Sequence, residues 1–581
     1  MSIENLSLLP ENDRIDCEIV IIGGGPVGLT IAQELSKTFH SVILVESGDL
    51  NENPLHNALL KVESVDGALS PAMRSTRSDF HKSAMKFWSG EEQSYGARCR
   101  ALGGSTHAWA GKSAPFDPID FEHREWVENS GWPISAEQMV PYLKRAANIL
   151  NLGPIENDYR ILAYGRKIPI SDVIIDGNLR SYFWQFARSK INPLEILKFG
   201  PEIIDRKTNN VRIITNATVT HINTNEQGDK FSGLELRTIE GKSYELSGKI
   251  GILCASAVEN PRILLASNRV VPNGVGNRHD AVGRYLTDHV GARIGTMPLS
   301  HLRDVNKIFG FYGVNHLGAT HMYQHGLSVS EAAQRQYKLL NSAVYFLEMR
   351  DRDDPWDSIK RLARGKSERP FQDVSSVVRG VDFIVKGAGQ AVINSNLLTL
   401  PVREAMLNFI LSVMPNTAVR EFSSRGLPHK LYGIAIDAIT EQPPRRESRI
   451  MLSDHADCLG MPIAKIDWKI GKEETFAMYN ISKMVENLFS DKNLPAPNIA
   501  DWVHDEHLSD IPLMDMAHSS GTTRMSTDPT KGVVDENCKI HGVAGLYVGG
   551  TSVFPTSGHA NPTFMALAMA IRLADHIASI L

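Results

Sequence analysis

The sequence has 581 residues, of which 42% are hydrophobic and 22% are charged, and its formal net charge is −5 at pH 7. This length exceeds what a single hydrophobic core usually supports, so we expect two intertwined domains. The composition is ordinary for a soluble globular enzyme, and the net charge gives no reason to expect a nucleic-acid partner.

The cysteines lie far apart and follow no metal-ligand spacing, which disfavours both a zinc site and a disulfide framework and favours a reducing compartment. The first residues, MSIENLSLLPENDRID, lack the basic and apolar regions of a signal peptide. No apolar run reaches the ~18 residues of a membrane helix. We therefore expect a cytoplasmic protein without a metal and without membrane contact. The cysteines are Cys17, Cys99, Cys254, Cys458 and Cys538.

Residues 17–49, CEIVIIGGGPVGLTIAQELSKTFHSVILVESGD, begin with an apolar run rich in β-branched side chains, which is typical of a buried parallel strand. Apolar residues then recur with helical spacing from Val27 to Leu35. A second apolar strand, SVILVE, ends at Glu46. This strand–helix–strand order, with a glycine-rich turn between its first two elements, predicts a Rossmann-like dinucleotide-binding unit.

The glycines of that turn, Gly23, Gly25 and Gly28, have the spacing G-x-G-x-x-G. The first glycine permits a tight turn, the second lets the backbone approach a pyrophosphate, and the third allows close packing of helix and strand. Glu46 is placed to accept hydrogen bonds from a ribose diol. Because FAD and NAD both carry such a diol, this segment alone leaves the choice of cofactor open.

A second glycine segment, RCRALGGSTHAWAG, covers residues 98–111. Paired glycines followed by small hydroxyl residues indicate a backbone that lies close to a flat or phosphorylated ligand. From this segment and the apolar run at 211–225, we assign a further set of residues to the cofactor site. They are Arg100, Gly103, Gly104, Ser105, His107, Ala108 and Val219.

Together with HSSGTTRM at 518–525 and GHANPT at 558–563, these segments resemble the glucose–methanol–choline (GMC) family of flavoprotein oxidoreductases. Two further stretches are similar to elements of that family: CASAVENPRILLAS at 254–267 and VGRYLTDH at 282–289. The stretch EQPPRRESRIMLSDHADCLGMPIAKIDW at 441–468 is similar to the branch that acts on sugars and polyols. The resemblance covers most of the chain and is weak over about 300–430.

The resemblance implies that the cofactor is FAD rather than a nicotinamide, with its isoalloxazine ring beside residues 98–111. In several members of the family, a histidine four residues after the second glycine is bonded covalently to the flavin. Here that position is Ala108, and the histidine is His107, one residue earlier. We therefore predict non-covalent FAD, and the alternative is a bond through His107.

The resemblance also implies an α/β fold with two parts. A discontinuous Rossmann-like FAD-binding domain would comprise residues 1–155, 205–295 and 515–581, with 156–204 as a connecting segment. Strand-like runs at 211–225, 249–256 and 545–550, and a helix from about 562, would build it. A substrate-binding domain at 296–514 would carry an antiparallel sheet covered by helices, with LYGIAIDAI (431–439) and PIAKIDW (462–468) as two of its strands.

Residues 325–430 look mostly helical, with a basic run KRLARGK at 360–366 and an apolar helix at 403–414. One interpretation is a surface that docks to a membrane, an electron acceptor or a large substrate. The other, which we favour, is a solvated helical insertion, because basic surface runs are commonly just solvated.

Oxidising an alcohol removes a proton from oxygen and a hydride from carbon, and a flavin takes the hydride at N5. The protein must supply a base, and a neutral imidazole with a pKa near ~6.5 suits neutral pH. The resemblance assigns the base to His518 and assigns Asn561 as the partner that hydrogen-bonds the substrate oxygen. His559 is the alternative second catalytic residue, and otherwise lies near the flavin or the substrate.

Three further positions complete the predicted site. Pro562 suits the first position of the last helix, whose N-terminus at Thr563 would direct its positive end at the flavin edge that becomes negative on reduction. Gly550 is expected at the cofactor, although the segment VGGTS (548–552) departs from the acidic residue common in the family. Gln442 either reaches the substrate or is a structural turn residue.

These assignments predict an FAD-dependent oxidoreductase that converts a CH–OH group of a sugar, glycoside or polyol to a carbonyl. Oxygen or a quinone or carrier protein would accept the electrons. The sequence contains neither a haem CxxCH motif nor an iron–sulfur cysteine cluster, so a relay would need another subunit. The alternatives are oxidation of a specialised-metabolite, aromatic or sterol alcohol, and a non-redox lyase or photodecarboxylase on the same fold.

Overall fold

A computed structural model of the chain describes residues 1–10, 14–65, 93, 95–163, 177–192, 195–204, 210–363, 365, 367–381, 399–414, 429–504, 508 and 511–581. Its strands are β1 (Ser2–Asn5), β2 (Arg14–Ile22), β3 (Val42–Val45), β4 (Val62–Ser64), β5 (Lys112–Ser113), β6 (Leu179–Phe186), β7 (Val211–Thr215), β8 (Thr218–Thr224), β9 (Phe231–Arg237), β10 (Ser243–Leu253), β11 (Val290–Pro298), β12 (Phe311–His316), β13 (Ala319–Val329), β14 (Ser342–Arg350), β15 (Leu431–Thr440), β16 (Arg449–Ala456), β17 (Pro462–Asp467), β18 (Asn498–Ile499), β19 (Met514–Asp515) and β20 (Leu546–Val548).

The α-helices within the same residues are α1 (Pro26–Leu35), α2 (Pro54–Ala58), α3 (Ala136–Ile149), α4 (Phe199–Ile204), α5 (Ser256–Ala266), α6 (Leu302–Phe309), α7 (Glu331–Tyr337), α8 (Pro355–Ala363), α9 (Pro370–Arg379), α10 (Leu400–Val413), α11 (Lys472–Asp491), α12 (Asp501–His504) and α13 (Thr563–Ile580). A short 3-10 helix, Gly104–His107, lies in the second glycine segment.

The first large sheet has the strand order β1–β7–β3–β2–β10–β9–β8, and β20 also pairs with β10. Its strands run parallel except for β9 and β8, which form antiparallel pairs. The last four residues of β2 are all buried, as expected for a strand inside a parallel sheet with both faces covered. The strands predicted at 211–225, 249–256 and 545–550 lie in this sheet.

The second large sheet has the order β18–β11–β15–β14–β13–β6–β5, with β12 paired to β13 and β19 paired to β11. Every pairing in it is antiparallel. Helix α11 packs against β14 and β15, and its buried residues join a hydrophobic cluster with theirs. The predicted fold class, a Rossmann-like part and an antiparallel sheet covered by helices, is confirmed. The exact domain limits stay a prediction.

The prediction for PIAKIDW is wrong in one respect. The segment is a strand, β17, but it belongs to a small third sheet, in which it pairs antiparallel with β16 and parallel with β4. Its alternating pattern indicates one buried face, and the partner strand is set by contacts far away in the sequence. By contrast, LYGIAIDAI forms β15 in the second large sheet, as predicted.

The expectation of a mostly helical region at 325–430 is also partly wrong. Helices α7 to α10 lie there, but the region also holds the end of β13 and the whole of β14. Strand β14, SAVYFLEMR, pairs along its length with β15 and over two residue pairs with β13. The apolar helix predicted at 403–414 is present as α10, which begins three residues earlier.

The basic run at 360–366 is largely neutralised where the structure describes it. Lys360 Nζ lies 3.2 Å from Asp357 Oδ1, and Arg361 Nε donates to Asp373 Oδ1 at 3.1 Å. Residues 364 and 366 lie outside the described residues. These local ion pairs favour the interpretation of the run as a solvated surface.

The last helix, α13, is long and apolar enough to cross a membrane by length and composition, which differs from the expectation that no such run exists. It packs against α1 and α3, and most of its side chains belong to the core of the first sheet. Because core helices of soluble proteins pass the same test, this helix is weak evidence for a membrane span. The structure accounts for it as the helix that closes the nucleotide-binding part.

Candidate active site

The first glycine turn forms a cradle at the N-terminus of α1. Gly23 has a φ of 108°, and a Cβ there would lie 2.7 Å from the carbonyl oxygen of Cys254. A Cβ on Gly28 would lie 2.0 Å from the carbonyl oxygen of Gly23. A Cβ on Gly25, in contrast, would meet no atom within 4 Å. The backbone at Gly25 therefore borders open space at a helix N-terminus, which fits a pyrophosphate.

The second glycine segment closes over the first. The Gly103 amide donates to the carbonyl of Gly24 at 2.7 Å, and a Cβ on Gly104 would lie 3.0 Å from the Cα of Gly25. Gly103 and Gly104 both have positive φ, so glycine is needed to bring the two loops this close. Ser105, which follows, is exposed. The structure thus brings both predicted loops to one cradle.

Glu46 fixes the first glycine turn through hydrogen bonds from backbone amides. Its side chain is buried, Oε2 accepts the amide of Gly24 and Oε1 accepts the amide of Gly48, each at 2.7 Å. Burial raises the pKa of Glu46, and these two amides and the charge of Arg100 oppose that rise. A carboxylate oxygen can accept two hydrogen bonds, and each oxygen of Glu46 accepts one from these amides. Acceptor capacity therefore remains for a ribose diol.

Arg100 and Val219 lie at the same end of the cradle. Arg100 Nη1 donates to Ser47 Oγ at 2.6 Å, and that hydroxyl lies 2.7 Å from Thr218 Oγ1, next to Val219. Val219 itself is buried in β8. The second guanidinium nitrogen of Arg100 bonds Glu259 at 2.9 Å. The protein therefore already uses much of the hydrogen-bonding capacity of Arg100.

Glu259 was not singled out from the sequence, although it lies in the stretch 254–267. Its carboxylate also bonds Arg98 at 3.1 Å and Arg262 at 3.0 Å. Burial raises the pKa of Glu259, but the charges of Arg262, Arg100 and Arg98 outweigh it and lower the pKa to about 2. This ionised carboxylate anchors the second glycine segment to α5.

His107 lies in the short 3-10 helix of the second segment. Its Nε2 lies 3.0 Å from the carbonyl oxygen of Leu102, so Nε2 carries the proton and donates. The next residue, Ala108, is buried and bonds back to Ser105 at 3.0 Å. The absence of a covalent link to the flavin stays a prediction.

The C-terminal positions meet the cradle from the other side. Gly550 has a φ of 100° and follows β20, with its Cβ position 3.9 Å from Val27 at the start of α1. Helix α13 begins at Thr563, so Pro562 is its N-cap and not its first helical residue as predicted. The Pro562 carbonyl accepts the amide of Ala566 at 2.9 Å, the first bond of the helix. The positive end of this helix therefore starts at Thr563.

The two predicted catalytic residues are in contact. Asn561 Nδ2 lies 3.2 Å from His518 Nε2. Because an amide nitrogen is only a donor, His518 Nε2 is the acceptor and carries no proton. The main-chain amide of His518 donates to Asp288 Oδ1 at 2.9 Å, which fixes the loop that carries the ring.

The protonation of His518 suits a base. Burial, followed by the positive charge of Lys112, lowers the pKa of His518 to about 4. The imidazole is therefore neutral throughout the physiological range. A lone pair on Nε2, held beside an amide donor, is the arrangement that general-base catalysis on an alcohol requires.

His289 is a functional candidate that the sequence analysis did not assign. Its Nδ1 lies 2.9 Å from His518 Nδ1, and the two rings meet edge to face with centroids 4.9 Å apart. Burial, followed by the neighbouring imidazoles of His518 and His559, lowers the pKa of His289 well below its usual range. A neutral His289 thus accepts a hydrogen bond from the protonated Nδ1 of His518. The only signal in the sequence was its place at the end of VGRYLTDH.

Asp288, the residue before it, ties the two motifs together. Its carboxylate accepts amides from His518 and Met516, and Tyr95 donates to Oδ2 at 3.1 Å. Burial, followed by the charge of Asp515, raises the pKa of Asp288 to about 8. The base therefore rests on a loop that is held by backbone hydrogen bonds at several points.

Gln442 lies behind this loop and is buried. Its Oε1 accepts from the Asp288 amide at 2.9 Å and from Trp468 Nε1 at 2.7 Å. Its Nε2 donates to Glu474 Oε1 at 2.9 Å and to the Lys469 carbonyl at 3.2 Å. The protein uses both donors and two acceptor positions of the amide. This placement favours the structural interpretation of Gln442 over contact with a substrate.

His559 lies on the far side of Asn561, against the second sheet. Its ring meets Tyr182 edge to face at 4.7 Å and lies 6.3 Å from Trp184. Its Nε2 is 3.7 Å from Asp117 Oδ2, and the residue is buried. The structure places Asn561, and not His559, in hydrogen-bonding contact with His518.

Lys112 was also given no role by the sequence analysis. It lies in β5, at the edge of the second sheet, and its Nζ stands over the rings of Trp184 and Tyr345 at 4.1 and 3.9 Å from their centroids. Burial lowers the pKa of Lys112 to about 7, against the charge of Asp437. No sequence motif marks the residue; the sheet register brings it there.

Comparison with known families adds two matches. The N-terminal model of the family described as GMC oxidoreductase matches residues 203–291, and its C-terminal model matches residues 444–570. The matched ranges include strands of the first sheet, Asp288, His289, His518 and Asn561.

Relatives of similar length extend the likeness over the chain. The 2-methyl-1,2-propanediol dehydrogenase of Mycolicibacterium austroafricanum is 22% identical, over 96% of this chain and 95% of its own. The fructose dehydrogenase large subunit of Gluconobacter japonicus is 21% identical, over 97% and 98%. A crystal structure of formate oxidase superposes with a TM-score of 0.54 at 16% identity, covering 98% of this chain and 99% of that one.

Proposed function

Since the chain belongs to the GMC oxidoreductase family and is an FAD-dependent oxidoreductase of alcohols, we propose that it oxidises a CH–OH group of a sugar, glycoside or polyol. The observation that carries the assignment of roles is the 3.2 Å contact between Asn561 Nδ2 and the unprotonated Nε2 of His518. This contact places a hydrogen-bond donor and a base side by side, as one alcohol oxygen needs.

In the proposed reaction, the substrate hydroxyl replaces the Asn561–His518 contact and bonds both groups. His518 Nε2 takes the hydroxyl proton, while the Asn561 amide donates to the same oxygen and fixes the orientation of the carbon. FAD, when bound, supplies the hydride acceptor. The proton on His518 Nδ1 stays shared with His289, so the ring keeps the tautomer that it needs for the next turnover.

The cofactor would lie along the residues already described. The open space at Gly25 and the N-terminus of α1 fit its pyrophosphate, and Glu46 fits a ribose diol. The N-terminus of α13 would stabilise negative charge on the bound cofactor. We propose that the binding is non-covalent.

The choice of substrate class rests on two supports. The stretch 441–468 resembles the sugar and polyol branch, and relatives in that class include a fructose dehydrogenase large subunit and a pyranose 2-oxidase from Tricholoma matsutake. The electron acceptor is proposed as oxygen or as a quinone or carrier protein. We also propose a cytoplasmic location, which the unpaired thiols of all five cysteines support.

The test is an anaerobic spectral titration of the purified flavoprotein. Sugars, glycosides, polyols and aromatic alcohols are added in turn, and the flavin absorbance near ~450 nm is followed, since hydride transfer bleaches it. We expect bleaching by a sugar or polyol, with the colour returning in air if oxygen is the acceptor. Bleaching by aromatic alcohols alone would contradict the proposed substrate class.

A further inference from the structure

Lys112 lies on a face of the second sheet that also carries aromatic side chains. It is paired with Phe186 across β5 and β6, so its side chain stands beside Trp184 on β6. Tyr345, on β14, reaches the same place, with its ring centroid 6.2 Å from that of Trp184. The Lys112 ammonium therefore lies over the faces of Trp184 and Tyr345, which together we call the aromatic wall.

This wall is built into the sheet. A Cβ on Gly326 of the intervening strand would lie 2.6 Å from a ring atom of Trp184, so the absence of a side chain there leaves room for the indole. The same indole lies 6.3 Å from His559, which is two residues from Asn561. The wall is thus continuous with the loop that carries the substrate-orienting amide.

The charge of Lys112 also acts on the base. Its positive charge is the second cause, after burial, of the lowered pKa of His518. Ring contacts through Trp184 and His559 thus link Lys112 to the loop that carries Asn561.

The charge of Lys112 is not matched by the protein. Among the described residues no acceptor lies within hydrogen-bonding distance of Nζ, whose contacts are the two rings. The acidic group that acts on it, Asp437, is itself bonded to Arg293, with Nε to Oδ1 at 2.9 Å. An ammonium over aromatic faces retains three donors, and these need an acceptor from outside the chain.

We propose that the Lys112 ammonium binds a carboxylate of the substrate, so that the preferred alcohol is a hydroxy acid, such as a sugar acid. This inference rests on the proposed function and narrows it. A single ammonium matches the single charge of a carboxylate. A phosphate carries nearly two charges, which one ammonium does not match. The partly neutral state of the free lysine implies that such a ligand binds together with a proton.

The experiment compares two probes that differ only at one carbon, D-gluconate and D-glucitol. Their dissociation constants are measured anaerobically, from perturbation of the flavin spectrum at pH 7, for wild type and Lys112→Met. Methionine keeps the length and the apolar contacts with Trp184 and Tyr345. The matched control is Lys338→Met, because Lys338 Nζ also stands over an indole, that of Trp126 at 4.7 Å, away from this wall.

We expect wild type to bind gluconate at least about tenfold more tightly than glucitol, and Lys112→Met to lose that preference, since a charge-assisted hydrogen bond is removed. Lys338→Met should keep it. A wild type without the preference would overturn the inference. So would a Lys112→Met variant that retains it. If no alcohol in the panel reduces the flavin but gluconate binding still depends on Lys112, the proposed function fails, while the carboxylate site at Lys112 stands.

A second measurement tests the proposed role of Lys112 in the wild-type protein alone, in case the variant does not fold. Because the pKa of Lys112 is lowered to about 7, its charge is lost as the pH rises through that value. The ratio of the glucitol to the gluconate dissociation constants should therefore fall between pH 6 and pH 9. A group whose titration changes both dissociation constants by the same factor cancels in this ratio. A ratio that stays constant with pH would refute a role for Lys112.

Discussion

Replacing His289 by phenylalanine tests whether this residue holds the base in its working tautomer. His518 Nδ1 donates to His289 Nδ1 at 2.9 Å, and phenylalanine keeps the ring volume but offers no acceptor. The Nδ1 proton of His518 would then be buried without a partner, or would move to Nε2 and block the base. Leaving a buried donor unsatisfied costs about 1–3 kcal/mol.

At about 1.4 kcal/mol per factor of ten, that cost predicts a roughly 5- to 150-fold slower rate constant of flavin reduction. The assay is anaerobic stopped-flow mixing with a substrate found in the spectral titration. FAD content and the substrate dissociation constant should change little, because His289 contacts the base and not the ligand. His325→Phe is the matched control: His325 is another buried neutral histidine, in β13, and it should slow reduction by less than about twofold.

A double mutant makes the reasoning refutable. If His289 acts only through His518, then adding His289→Phe to a His518→Ala variant should cause no further loss of rate. Independent sites would instead show additive effects on the activation free energy. A fully additive double mutant would show that His289 acts on substrate or cofactor directly, contrary to the geometry described above.

Four further outcomes are expected. His518→Ala should keep FAD but slow substrate-driven reduction by about 10²–10⁴-fold, and reduction at the wild-type rate would refute its assignment as the base. Gly28→Ala should lose FAD, measured as the flavin-to-protein absorbance ratio, because the new Cβ would lie 2.0 Å from the Gly23 carbonyl. Reduction by a neutral substrate should persist as the pH falls to 5 and fail towards about 4, where His518 gains a proton. A midpoint of the reduction rate above pH 6 would contradict the assignment of His518 as the base. The pKa of His518 is about 4 in the folded protein and ~6.5 in the unfolded chain, so the unfolded chain binds the proton first as the pH falls. His518 should therefore lower the free energy of unfolding as the pH falls from ~6.5 to about 4.

The sequence was most informative where chemistry depends on neighbours in the chain. The spacing of Gly23, Gly25 and Gly28 is local, and the structure shows the tight turn and the close packing that this spacing implies. His518 and Asn561 are 43 residues apart, and their pairing came from motif resemblance, since spacing alone does not bring such positions together.

Lys112, which was missed, depends on sheet register for its position. Lys112 reaches Trp184 and Tyr345 because β5 and β14 occupy particular places in the second sheet, and nothing within a window of sequence encodes that order. The same reason explains the wrong sheet assigned to PIAKIDW and the missed strand β14. An alternating pattern reports one buried face, but strand partners are chosen by contacts at long sequence separation.

The nucleotide-binding sheet is assembled from both ends of the chain. Residues Gly251–Leu253 of β10 lie between β2, near the N-terminus, and β20, near the C-terminus, while α13 covers α1. During synthesis on the ribosome, the cradle around Gly25 therefore stays incomplete until the last helix has emerged. Flavin capture then has to follow the synthesis of α13, and the apolar surface that α13 covers stays exposed on the nascent chain until that point.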